Sequence, residues 1–140
     1  MNSESIKQKM KVLRESILEI EPILKFSSDD IANDSLKIRS AERLFQLIID
    51  SAVDINTEII ATNSFSSPDS YQGTFYTLRE AKILDSNFAD KIAPSVGLRN
   101  RLVHRYETIK PKLSVDEMKR YVPFYVDYLK IINDYITKTS

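Results

Sequence analysis

The only histidine in the chain, His104, stands in the run Gly97-Leu98-Arg99-Asn100-Arg101-Leu102-Val103-His104-Arg105-Tyr106. Any chemistry that needs an imidazole must happen there. An arginine, four intervening residues, the histidine and then a tyrosine two further on place three groups on about two turns of helix: a fixed cation, a group titrating near neutrality and a phenol. That set suits a phosphodiester, because a guanidinium can grip phosphate oxygens while an imidazole moves a proton. Asn100 and His104 are four apart and share a helix face, whereas Arg99 is about 140° from His104 on an ideal helix. Arg99 must reach round, or the helix must bend. Taken alone, one histidine on a helix is more often a surface or satisfied structural residue than a catalyst. The neighbours weigh the other way: Arg99, Arg101, Arg105, Lys110 and Lys112 face a single acid, Glu107, in a chain that is otherwise balanced. This is a local basic patch able to hold an RNA backbone, although Arg105 is better explained as a cation at the negative pole of a helix. Tyr106, seven after Arg99 and in line with Val103, has the spacing of a packing aromatic.

Other chemistries fall away. With two glycines there is no phosphate-cradling Gly-rich loop, and without cysteine there is no disulfide, no thiolate nucleophile and no Cys-based zinc site. One histidine leaves only carboxylates for a metal site, and no Asp or Glu cluster has convincing spacing, so neither metal nor cofactor is expected. A Ser-His-acid triad cannot be argued from scattered serines. Twenty Lys and Arg balance twenty Asp and Glu, which argues against holding nucleic acid by a global positive field. The N-terminus interleaves charged and apolar residues and no membrane span or signal peptide is readable. The expectation is a cytoplasmic protein with no membrane partner.

The elements that must position the motif are helical. Residues 1–140 are one domain's worth of chain. Ser3 or Ser5 can cap a first helix with Ile6, Met10, Leu13, Ile17, Ile20 and Leu24 on its apolar side, interrupted only by Pro22. After a polar joint at Phe26-Ser27-Ser28-Asp29-Asp30, where Ser28 or Asp29 can cap, one long helix is predicted from Ile31 to Ala61, with a stripe from Ile38 to Ile59. Along another face run Glu42, Gln46, Asp50, Asp54 and Glu58, read as a solvated row. A Ser- and Pro-rich break over 63–73 precedes a shorter helix with Tyr71, Phe75 and Leu78 as its apolar face, continued by Ile83 and Leu84. Asp85 or Ser86 caps a fourth helix through Phe88, Ile92 and Val96 into the motif, kinked or split at Pro94 and Gly97. Ser114 and Glu117 have capping-box spacing for a last helix from Met118 to Ile136, kinked at Pro123. The sum is an all-α, five-helix up-and-down bundle, kinked near Pro94 and Pro123.

The run Arg99-Asn100 to His104-Arg105-Tyr106 resembles the R-x4-H-x-Y signature of HepT-like toxins, a branch of the HEPN superfamily of small helical ribonucleases. Arg39-Ser40-Ala41-Glu42-Arg43-Leu44-Phe45-Gln46 is similar to that family's second helix, and Pro68-Asp69-Ser70-Tyr71 with Phe75, Leu78 and Ile83-Leu84 to its next segment. The resemblance covers most of the chain beyond the first helix. It implies a HEPN-like fold and a metal-independent endoribonuclease toxin of a type VII toxin-antitoxin system, acting on RNA (tRNA or mRNA) and not on DNA. Arg99 and His104 would be the catalytic pair, Asn100 the polar residue beside the Arg, and Tyr106 the phenol that a cognate minimal nucleotidyltransferase antitoxin modifies with AMP. Homodimers, and larger hetero-oligomers with the antitoxin, are implied as well. The alternative is a non-catalytic HEPN-like module that binds a nucleotide or docks a nucleotidyltransferase, with His104 only hydrogen-bonding.

Overall fold

A computed structural model describes residues 3–104 and 109–139 of the chain. Among these residues every regular element is helical: α1 (Ser3–Leu24), α2 (Ser28–Ala32), α3 (Ser35–Thr62), α4 (Tyr71–Glu80), α5 (Ser86–Ile92), α6 (Ser95–His104) and α7 (Pro111–Thr139). Five rods form the bundle, the fourth being α5 and α6 together, and α2 is a single extra turn between the first and second. Ile6, Met10, Leu13, Ile17 and Ile20 of α1 are buried, as are Ala41, Phe45, Ile48, Ala52, Ile55 and Ile59 of α3, so both predicted stripes face one core. No helix of the described residues is long and apolar enough to cross a membrane.

The boundaries differ where a cap outweighs apolar periodicity. Ser27, and not Ser28 or Asp29, caps α2, and Asp34 starts α3 by accepting from the amides of Leu36 and Lys37. The expected helix from Ile31 is thereby cut at Asn33. Ile83 and Leu84 do not extend α4: its chain turns at Ala81 and Lys82, where φ is 62°, and the amides of Ile83 and Leu84 both return to the Leu78 carbonyl. The last helix opens at Pro111 and not at Ser114, since proline at the first helical position loses no bond that the helix would have made. Ser114 is already inside α7 and buried, so it makes no capping box. Pro123 lies on the exposed face of α7, which continues through it. Its ring removes one helical donor on the exposed side, a cost the helix can bear.

Two buried phenols of α7 tie these rods together, one of them at the start of the motif helix. Pro94 ends α5, and the Ser95 hydroxyl donates to the Ile92 carbonyl at 2.6 Å while accepting from the buried Tyr125 phenol of α7, also at 2.6 Å. The start of α6 is thus pinned directly after the break. Further along α7, Tyr128 donates towards Asn56 Oδ1 and the Ala52 carbonyl; Asn56 donates to Thr74 Oγ1 at 3.0 Å, and Thr74 to the Tyr71 carbonyl at 2.6 Å. This relay of fully used polar groups fixes α3, α7 and the first turn of α4 against one another. Burial pushes the hydroxyls of Tyr125 and Tyr128 well above the ordinary phenol range. Stability should be level up to the unfolded phenol pKa of about 10 and fall from there upward, because the unfolded chain releases those protons first. Tyr128→Phe, which orphans the Asn56 oxygen, should cost about 1–3 kcal/mol in urea unfolding. A loss within error of zero would mean that the relay carries no stability.

Candidate active site

Arg99 is the anchor. It leaves α6 towards α3, where its Nε donates to Asp50 Oδ1 at 2.9 Å, and its side chain is only 12% exposed beside a 32% exposed Asp50. Its Nη1 donates to Asn100 Oδ1 at 3.2 Å, and its Cζ lies 5.1 Å from the centroid of the Tyr71 ring, within cation–π range. Three different elements, α3, α4 and α6, therefore fix one guanidinium. Its Nε turns towards α3 while its Nη1 turns back to Asn100, which shares the His104 face of α6. With Nε held by Asp50, the protons left for a ligand are those at the outer Nη1 and Nη2 edge, a forked pair suited to a phosphate. Charge, plane and direction are set before any substrate arrives.

His104 is the last residue of α6 and is exposed, one turn beyond Asn100 on the same face. Arg105 and Tyr106 lie outside the described residues. Of the remaining basic patch, Arg101 forks onto Glu117 of α7 at 2.8 and 2.9 Å, Lys112 approaches Asp29 at 3.5 Å, and Lys110 is exposed. Arg101 is thus partly committed to holding α6 on α7. No group of three or more His, Asp and Glu side chains among the described residues is placed to hold a metal ion.

Two members of the site were not foreseen as such. Asp50 belongs to the acidic row read as solvated, yet it is the carboxylate that binds Arg99; Glu58 of the same row likewise accepts from Lys9 and Ser5, both at 2.9 Å. Tyr71 was expected on the apolar face of α4. Instead it is 47% exposed and stacks on Arg99.

The family described as "Ribonuclease HepT-like" matches residues 13–132, which take in the whole Arg99 to His104 run and both residues that hold the arginine. The chain belongs to the HepT-like ribonuclease family. The chain is similar to the tRNA nuclease HepT of Aphanizomenon flos-aquae, with 38% identity over 112 residues, 79% of this chain and 75% of that protein. Its fold is shared with the tri-AMPylated HEPN toxin of Shewanella oneidensis, solved in complex with an MNT antitoxin (TM-score 0.85, 20% identity, 96% and 99% of the two chains covered). It is shared also with the cytosolic protein YutE of Bacillus subtilis (TM-score 0.86, 16% identity, 99% and 93% covered). At these identities the two structures speak for the HEPN fold, while the family match carries the ribonuclease assignment. In this chain Arg99 is braced and His104 is open to solvent.

Proposed function

We propose that this HepT-like protein is an endoribonuclease toxin that cuts RNA without a metal, using Arg99 and His104, and that a nucleotidyltransferase antitoxin silences it by AMPylation at Tyr106. The observation that carries the reading is the bracing of Arg99: a guanidinium oriented in advance by Asp50, Asn100 and Tyr71 is a preformed receptor for phosphate. In this mechanism a ribose 2′-hydroxyl attacks the adjacent phosphorus and the 5′-oxygen of the next nucleotide leaves. Arg99 stabilises the charge gathering on the non-bridging oxygens, and His104 takes or gives the proton. The products are a 2′,3′-cyclic phosphate and a 5′-hydroxyl. The similar tRNA nuclease makes tRNA the first substrate to try, with Arg101, Arg105, Lys110 and Lys112 contributing to backbone attraction.

One histidine per chain cannot serve as acid and base at once. A two-fold axis near α6 would bring a second imidazole to the same phosphate, so the active species is a homodimer. Sizing followed by incubation with total RNA tests both claims together. Cleavage should elute with a dimer and yield cyclic-phosphate ends; activity confined to monomer, or no cleavage of any RNA, would overturn the proposal.

Asp50 acts here as a positioning residue. Asp50→Asn keeps an acceptor near Arg99 Nε but removes its charge and lets the guanidinium swing, so kcat should fall by about ten- to a hundredfold, as for other small misplacements of catalytic groups. KM should change little, and Asp50→Glu should recover part of the loss. An unchanged kcat in a folded Asp50→Asn protein would contradict the role.

A further inference from the structure

Beside the arginine site lies a cavity of about 280 Å³ between the C-terminal end of α3 and the loop that leads into α4. Its apolar surface comes from Ile60, Ala61 and Pro68, and Thr57, Ser67 and Asp69 supply polar groups. Tyr71 belongs to both places: it lines the cavity, and its ring carries the Arg99 guanidinium. The two sites are therefore neighbours that share Tyr71, so a nucleotide whose phosphate lies at Arg99 has the cavity beside it.

The wall of the cavity is built and not incidental. Ser70 caps α4 by accepting from the Gly73 amide at 3.0 Å, and a Cβ on Gly73 would meet Pro68 Cβ at 3.0 Å and Ser70 Oγ at 3.2 Å. Glycine at this position lets the loop seat closely on α4. On the other side, Thr74 is held by both Asn56 and the Tyr71 carbonyl, so the buried relay from α7 ends at this wall.

The lining chemistry selects the occupant. Asp69 adds a negative charge to the lining, which disfavours phosphate there and leaves the Arg99 guanidinium as the place for it. Apolar surface with hydroxyls and a carboxylate around it suits a flat, uncharged ring with donors and acceptors on its edge, the pattern by which proteins take unstacked bases. We propose that this cavity is a nucleobase subsite, receiving the unpaired base of a nucleotide adjoining the phosphate held at Arg99. The proposal rests on the ribonuclease reading for its purpose. Its consequence is a base preference at the cut, within single-stranded or looped RNA.

Ala61 offers the test, since it lines the cavity, is exposed near the end of α3 and makes none of the polar or ring contacts that hold Arg99, which come from Asp50, Asn100 and Tyr71. Ala61→Phe should fill the cavity, and Ala61→Ser should leave it open. Amide chemical shifts are followed while each of the four 5′-mononucleotides is added to the intact protein. At least one should move residues 57–61 and 67–74 selectively, and Ala61→Phe should abolish the response while Ala61→Ser keeps it. In cleavage of a short RNA, Ala61→Phe should raise KM by about tenfold, the scale of one lost base contact, leave kcat within about twofold, and erase the preference for the base beside the cut. An abasic nucleotide at that position should do the same to the parent protein. Unchanged KM and base preference in folded Ala61→Phe, or mononucleotide shifts that fall elsewhere, would overturn the subsite. A protein that cuts no RNA yet shows the selective shifts would instead fault the ribonuclease reading and support the subsite.

Discussion

Arg99→Ala and His104→Ala are each expected to lower RNA cleavage by about a hundredfold or more, with the fold intact. Removing a positioned donor from a charge-accumulating transition state costs a few kcal/mol, and about 1.4 kcal/mol is tenfold in rate. Arg99→Ala has a second effect. It leaves the Asp50 carboxylate facing the phosphate site, where a negative charge repels the substrate that the arginine attracted. Asp50→Ala introduced into Arg99→Ala should therefore restore part of the lost substrate affinity, although not the lost kcat. Arg99→Lys should not rescue, because one ammonium cannot satisfy Asp50, stack on Tyr71 and fork onto phosphate together. His104→Ala should leave stability near that of the parent, since the side chain is exposed. Steady-state cleavage with a defined RNA, beside circular dichroism of each variant, measures these effects; full activity in either single variant would refute the roles.

Exposure to the cognate nucleotidyltransferase and ATP is expected to attach one or more adenylyl groups to Tyr106 and to abolish cutting. The phenol oxygen attacks the α-phosphorus of ATP and pyrophosphate leaves. A bulky anion two residues from His104 could then occupy the cationic edge of Arg99 and block RNA by charge and by size. Burial narrows the competing acceptors: Tyr125 and Tyr128 are fully buried and their hydroxyls are engaged inside the core, so neither can reach a second enzyme without unfolding, whereas Tyr76 and Tyr135 are half-buried. Tyr71 is the exposed phenol to watch. Intact mass and peptide mapping should place the label on Tyr106, and Tyr106→Phe should block it. A label on Tyr71, or no label from a demonstrably active partner, would contradict the assignment.

Periodicity made the rods legible, because burial on one side of a helix leaves a mark every three or four residues, as in α1 and α3. Caps were harder, since they depend on one side chain meeting one amide. Asn33-Asp34-Ser35 is a turn signal that a run free of Gly and Pro concealed, and Pro111 outranked the Ser114 and Glu117 pattern. At the site, sequence spacing gave Arg99, Asn100 and His104 on one helix and the family resemblance gave their meaning. The brace did not show. Asp50 and Arg99 are 49 residues apart, and an ion pair across that separation exists only once α3 and α6 have been packed together. Tyr71 has the spacing of a core residue and is displaced from that role by a guanidinium competing for its ring.

The most direct test uses one RNA in two forms, identical except that the nucleotide before the mapped cut carries either a 2′-hydroxyl or a 2′-deoxy sugar, each incubated with the purified protein in excess chelator. Internal attack by the 2′-hydroxyl, promoted by Arg99 and His104 with no metal, predicts unimpaired cutting of the first, with 2′,3′-cyclic phosphate ends, and no cutting of the second at that position. Equal cleavage of both RNAs, or activity that vanishes with chelator and returns with added divalent metal, would contradict it.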